Sequence, residues 1–278
     1  AEMNGQLKMA IRIFKNTYKK KFLHQLVSSQ LDVDRLDYLS RDSFFTGVSE
    51  GVIGTERILK MMTIADDDLA VEEKGIYSVE RFIIARRLMY WQVYFHKTVV
   101  AAEQMLIGVL KRAHQLAMNG DKIFAPPALA FFLEKNNNRT NLNASTLENF
   151  IDIDDSDILS SLKVWQYHSD PVLSRLSANL LNRKLFRVVI DSKPISKKNE
   201  DDLLKKISAS YKISKEDAAC FLSYGEIENN AYAPGIDKIW IANKDGSRKD
   251  VAEASDQLSQ GAISKTVVKY FLCYPKEI

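Results

Sequence analysis

Cysteine is nearly absent. The two present, Cys220 and Cys273, cannot build a disulfide framework, and neither sits in a CxxC pair or a Cys/His spacing suited to zinc. Free thiols in a reducing compartment are the expected state. Histidine is equally scarce: His24, His96, His114 and His168 form no HxxxH, HExxH or His-Asp arrangement, so the chain carries no self-contained metal cage. Only 11 glycines and 6 prolines punctuate 278 residues, which favours long helices. No apolar run approaches the ~18 residues of a membrane span. The first apolar segment is broken by Lys15, Lys19, Lys20 and Lys21, unlike a secretory leader. A cytoplasmic protein with no membrane partner is expected. A net charge of +3 is too small to argue for nucleic acid.

What is present is the balance of a folded globular protein, 46% apolar and 27% charged, which excludes disorder. Leu7, Ile11, Phe14, Tyr18 and Phe22 recur at steps of three and four and predict a helix over 5–24. A second helix is expected over 32–45. Gly47, Gly51 and Gly54 follow no strand and suit a turn better than a phosphate loop. Asp66, Asp67 and Asp68 lie between two apolar runs and read as a solvated hairpin tip, not a metal site. Residues 78–118 predict one long helix or two nearly continuous ones. Shorter helices are expected over 126–134, from the acidic stretch 152–157, and from Asp170-Pro171 to about 183, with a polar loop over 136–143. After Leu185 the pattern changes to strand runs over 185–190, 220–224, 238–243 and 265–274, with a Lys-rich helix over 198–212. The expected class is mainly α, with a helical domain over 1–183 and a small α+β domain over 184–278. The last strand is apolar on both faces and should be central or covered.

Two polar stripes stand out. Asp34, Tyr38 and Asp42 share one face of the second helix at i, i+4 and i+8. Such carboxylates suit a cation or a ligand, and the pattern alone suits an exposed ion-pair face equally well. Arg86, Tyr90, Tyr94 and Lys97 run along the long helix, with His96 adjacent. An arginine fork, two phenols and a lysine would serve a ligand with phosphates and a ring. Half-buried tyrosines on an amphipathic helix are the plain alternative.

The run Asp32-Val33-Asp34-Arg35-Leu36-Asp37-Tyr38-Leu39-Ser40-Arg41-Asp42 resembles the D-x-D-R-x-D-Y-L-x-R-D signature of HD-domain deoxynucleoside-triphosphate triphosphohydrolases. Residues 73–82 and 85–97 resemble a second block of that family, and 154–159 with 182–186 a weaker third. The resemblance implies an HD-domain-like helical bundle. It implies that Asp34 is the last ligand of a His, His-Asp, Asp site for a divalent ion, with Mg, Mn, Fe and Zn all open. It implies that Arg35 contacts the triphosphate, that Tyr38 packs on the sugar, that Asp42 bonds a sugar hydroxyl and that Arg86 reaches the phosphates. Tyr94, His96 and Lys97 match a nucleotide-facing segment, and Tyr90 stands where some members have histidine. The implied reaction splits a deoxynucleoside triphosphate, dGTP among the candidates, into deoxynucleoside and triphosphate, with metal-bound water attacking the α-phosphorus. A homo-oligomer is implied as well.

The family's first histidine and its His-Asp pair precede this motif. Here only 33 residues precede Asp34, and His24 is not followed by Asp. The expectation is therefore a C-terminal portion of a longer protein, without a catalytic residue of its own and inactive alone. Two other readings stay open: a catalytically dead nucleotide- or nucleic-acid-binding module with Arg35, Arg86 and Lys97 as an anion groove, and an HD phosphohydrolase for another phosphate ester.

Overall fold

Residues 7–134, 143–230, 232–233, 237–257 and 266–278 are described by the computed structural model. The polar loop expected over 136–143 therefore lies outside the described residues except at Asn143. The chain begins with α1 (Lys8–Phe14), α2 (Lys21–Val27), α3 (Val33–Thr46), α4 (Thr55–Met61), β1 (Met62–Ala65), β2 (Asp68–Glu72) and α5 (Ile76–Met89). A π-helical turn, Tyr90–Tyr94, leads on to α6 (Lys97–Met118), α7 (Pro127–Glu134), α8 (Ala144–Asp152), α9 (Asp155–Trp165) and α10 (Pro171–Leu181). The last part holds β3 (Arg187–Asp191), α11 (Lys197–Tyr211), α12 (Lys215–Ala218), β4 (Ser223–Asn229), β5 (Trp240–Ala242), β6 (Arg248–Asp250), α13 (Val251–Ala254) and β7 (Val267–Tyr274). The mainly α class with small β parts is as expected. Among the described residues no helix is long and apolar enough to cross a membrane.

Local chemistry accounts for most boundaries. Asp32 caps α3 by accepting from the Arg35 amide, and Gly47 closes the helix in the left-handed region at φ 71°. Asp154 and Asp157 form a reciprocal capping box on α9. Asp170 caps α10 with Pro171 at the first position. The single helix expected over 5–24 is instead two. Asn16 takes a left-handed φ of 54° after α1, and Lys20 is extended before α2. The lysines that interrupt the apolar periodicity fall in and around this break. The strand expected over 220–224 starts later, because Ala219–Phe221 form a 3₁₀ turn before β4.

Two compact units interleave along the chain: 1–96 with 228–268, and 97–227 with 269–278. This division by compactness falls elsewhere than the change of pattern near 183. In the first unit the order β1-β2-β5-β6 makes one sheet. Asp66 and Asp67, at φ 50° and 64°, form the hairpin turn between β1 and β2. β5 pairs with β2 in parallel, Ala70 opposite Trp240, and β6 returns antiparallel. Arg248 fastens the hairpin, with Nη1 2.6 Å from Asp68 and the guanidinium 4.2 Å from the Trp240 ring centre. So β5 and β6, expected within a separate C-terminal sheet, complete an N-terminal one. The core behind this sheet joins Leu36 and Leu39 to Val79, Phe82 and Met89, and to Tyr232, Ile239, Ile241 and Val251.

In the second unit the helices α6 and α10 pack together and α6 also meets α7 and β3. Trp165, Leu173, Leu176 and Ile207 are fully buried. β3 pairs antiparallel with β7, from Arg187 opposite Tyr274 to Asp191 opposite Tyr270. β7 is the middle strand of the order β3-β7-β4, as its two apolar faces require, and Phe271 is buried. α11 turns Leu204 and Ile207 inward and leaves its lysines outside.

Candidate functional site

α3, α5 and the π turn all belong to the first unit and bring Tyr38, Asp42, Arg86, Tyr90 and Tyr94 together. The Tyr94 hydroxyl donates to Asp42 Oδ2 at 2.7 Å. Its ring meets Tyr38 edge-on at 6.1 Å and Tyr90 at 5.0 Å between centres. Arg86 donates to the Tyr38 hydroxyl, and its guanidinium carbon lies 5.8 Å from the centre of the Tyr90 ring. All five side chains are partly exposed, so a ligand can reach them.

Burial raises the Tyr38 phenol, the nearby Tyr90 adds to this, and Arg86 and Arg35 pull it back. The Tyr94 phenol is raised chiefly by burial and then by its bond to Asp42. Both hydroxyls therefore stay protonated at neutral pH and can donate. The cluster offers one arginine fork, protonated phenols and one carboxylate, a set suited to an anion bearing hydroxyl groups.

Local packing holds these groups. Tyr90–Tyr94 widen into a π turn, with the Phe95 amide bonding the Tyr90 carbonyl at 2.7 Å, a device frequent at functional sites. Gly51 fits between the two helices: a Cβ there would come within 2.5 Å of Met89 Sδ and 2.8 Å of Ser43 Cβ. Neither feature is legible in periodicity. Asp32 also escapes a search for outward-facing stripes. It is a buried cap, accepting from the Ser29 amide at 3.1 Å and the Arg35 amide at 2.8 Å, and ion-paired with the Arg35 guanidinium. An Asp just ahead of an apolar-periodic run is the signal that could have found it.

The other expected residues have different settings. Arg35 is folded back onto Asp32 and the Ser29 carbonyl. Asp34 is exposed in the first turn of α3, one turn before Tyr38. His96 is exposed, and Lys97 opens α6 and lines a cleft of the second unit. Among the described residues no three His, Cys, Asp or Glu side chains converge as a metal site. Asp34 alone does not fit a divalent ion, which needs several ligands.

Comparisons with known proteins agree with this architecture. A family model described as "HD associated region" matches residues 53–125. The crystal structure of a phosphohydrolase from Bacteroides thetaiotaomicron VPI-5482 is similar over 98% of this chain and 68% of that one, with 54% identity and a TM-score of 0.93. The uncharacterized protein YwfO of Bacillus subtilis is 31% identical over 273 residues, 96% of this chain and 60% of YwfO. A Dictyostelium discoideum protein, the deoxynucleoside triphosphate triphosphohydrolase SAMHD1 homolog, is 29% identical over 111 residues, 39% of this chain and 21% of that protein. The chain belongs to the HD-superfamily phosphohydrolases. It spans well under the full length of these relatives, 60% in the case of YwfO.

Proposed function

We propose that the protein, at the full length of its relatives, hydrolyses deoxynucleoside triphosphates to deoxynucleoside and triphosphate, and that the first unit supplies the wall facing sugar and phosphates. The observation that carries this reading is the joined pair of contacts Tyr94–Asp42 and Arg86–Tyr38. The resemblance of residues 32–42 to the family signature and the name of the Dictyostelium relative support it. In this reading Asp42 accepts from a sugar hydroxyl, sharing its second oxygen with Tyr94. The Tyr38 ring packs on the sugar, Arg86 turns its fork to phosphate, and Tyr90 screens the arginine. Arg35 is a positioning residue, since Asp32 occupies its guanidinium. Asp34 would be a single metal ligand. The described residues do not complete a cage around it. His96 and Lys97 stand outside this wall. Homo-oligomerisation, cytoplasmic location and dGTP as a candidate substrate belong to the same proposal.

The test is product analysis of the relative-length protein with the four dNTPs, a set of other phosphate esters, and Mg, Mn, Fe or Zn. Triphosphate release is expected, with kcat/KM lowered about ten-fold or more by Asp42→Asn or Arg86→Ala. The 278-residue chain is expected to bind nucleotide without turnover. Turnover of other esters alone would replace the substrate class. Nucleotide binding without any turnover at full length would make the protein a binding module.

A further inference from the structure

α1 is a helix of seven residues with no buried side chain. A helix so short is marginal in water unless packing holds it. Its residues sort by type around the axis. Leu7, Ile11 and Phe14 share one face through steps of four and three, and all three are exposed. Lys8, Arg12 and Lys15 follow on the adjacent flank at the same steps and are exposed as well. Apolar residues gathered on one exposed face and rimmed by charge mark an interaction surface, unlike apolar residues scattered singly.

α8 repeats this design with the opposite charge. Of its nine residues only Thr146 is buried. Leu147, Phe150 and Ile151 lie at i, i+3 and i+4 and are exposed. Glu148 and Asp152, four residues apart, occupy the adjacent flank and are exposed too. Lys8, Lys15, Glu148 and Asp152 form no ion pair among the described residues. On both helices the charged flank follows the apolar stripe in the same rotational sense. Antiparallel packing of one on the other therefore joins the two stripes and sets the cations against the acids. Two α1 helices, or two α8 helices, would bring like charges together instead.

We propose that α1 of one copy of this chain packs antiparallel on α8 of a second copy, Leu7, Ile11 and Phe14 against Leu147, Phe150 and Ile151. This deepens the homo-oligomerisation proposed above by naming its contact, and it does not rest on the nucleotide reading. Each copy offers both surfaces, so two reciprocal contacts can close a dimer and successive ones a ring.

The test is light scattering on the 278-residue chain at about 50 μM, a concentration at which micromolar contacts are populated. A mass that is a multiple of the monomer is expected, falling as salt rises from about 0.05 to about 0.5 M and screens the flanks. The pair Lys8→Glu and Lys15→Glu should weaken association about ten-fold or more, and so should the pair Glu148→Lys and Asp152→Lys. All four changes together exchange the charges and should restore association to within about three-fold of the parent. Each variant should melt within about 4 °C of the parent, since the altered side chains are exposed. An oligomer that persists in both paired variants overturns this contact and leaves homo-oligomerisation standing. A monomer throughout overturns both. Failure of the fourfold exchange to restore association also overturns the proposal. So does a monomer that sediments with phosphatidylserine vesicles and loses this in Lys8→Glu with Lys15→Glu, which would give α1 to a lipid surface.

Discussion

Tyr94 and Asp42 share a hydrogen bond in a half-exposed setting, so water can replace part of what a deletion removes. Tyr94→Phe should cost about 1 kcal/mol, lowering Tm by about 2–4 °C in a thermal melt. The phenol is raised above its ordinary value of 10.0 by burial and by Asp42. A group raised in the folded state gives its full stabilisation below the unfolded value and loses it as pH rises beyond. Stability should therefore be insensitive to this phenol near neutrality and should decline above about pH 10, less steeply in Tyr94→Phe. Equal alkaline slopes in denaturant titrations of the two proteins would refute this. Cys273, buried on β7, obeys the same sign: burial pushes its thiol up to about 12. A thiol reagent at pH 8 should leave Cys273 unmodified in the native chain and modify it in denaturant.

Among the elements, α3 has most to lose at its start. Asp32→Ala removes the cap and leaves Arg35 without its carboxylate, and should cost about 2 kcal/mol in chemical denaturation. Since α3 also carries Tyr38 and Asp42, nucleotide binding should weaken with it. Gly51 is the other sensitive point. Gly51→Ala sets a methyl group against Met89 and Ser43 and should cost about 1–3 kcal/mol. The side chains that clash belong to the two helices bearing the wall, so the binding loss should exceed that of a surface substitution of equal stability cost. Unchanged stability and binding in Gly51→Ala would mean that the helices can part without moving the wall.

The first unit takes strands from distant stretches of sequence. A chain ending at His96 keeps α3, α5 and the five clustered residues. It loses β5, the parallel partner of β2, and the core residues Ile239, Ile241 and Val251. Such a chain should show no cooperative thermal transition by far-UV circular dichroism, because an unpaired β2 edge and an open core are left behind. A sharp transition would show that the N-terminal hairpin and helices suffice.

The sequence by itself determined the class of the fold, most helix limits, the hairpin at Asp66–Asp67 and the central place of β7. These follow from residues close in the chain: caps, left-handed asparagine and aspartate, and periods of 3.6 and 2. It also determined the stripe Tyr38–Asp42 and the stripe Arg86–Tyr94, which share a face through helical spacing alone. Only the tertiary structure decided that the two stripes meet, since Tyr94 and Asp42 are brought together by packing across Gly51. Only it decided that Arg35 serves Asp32, and that Lys97 lines a cleft of the second unit. Likewise, periodicity marks residues 238–243 as a strand but carries no information about its partner, and pairing with β2 is set by the surface that strand must bury.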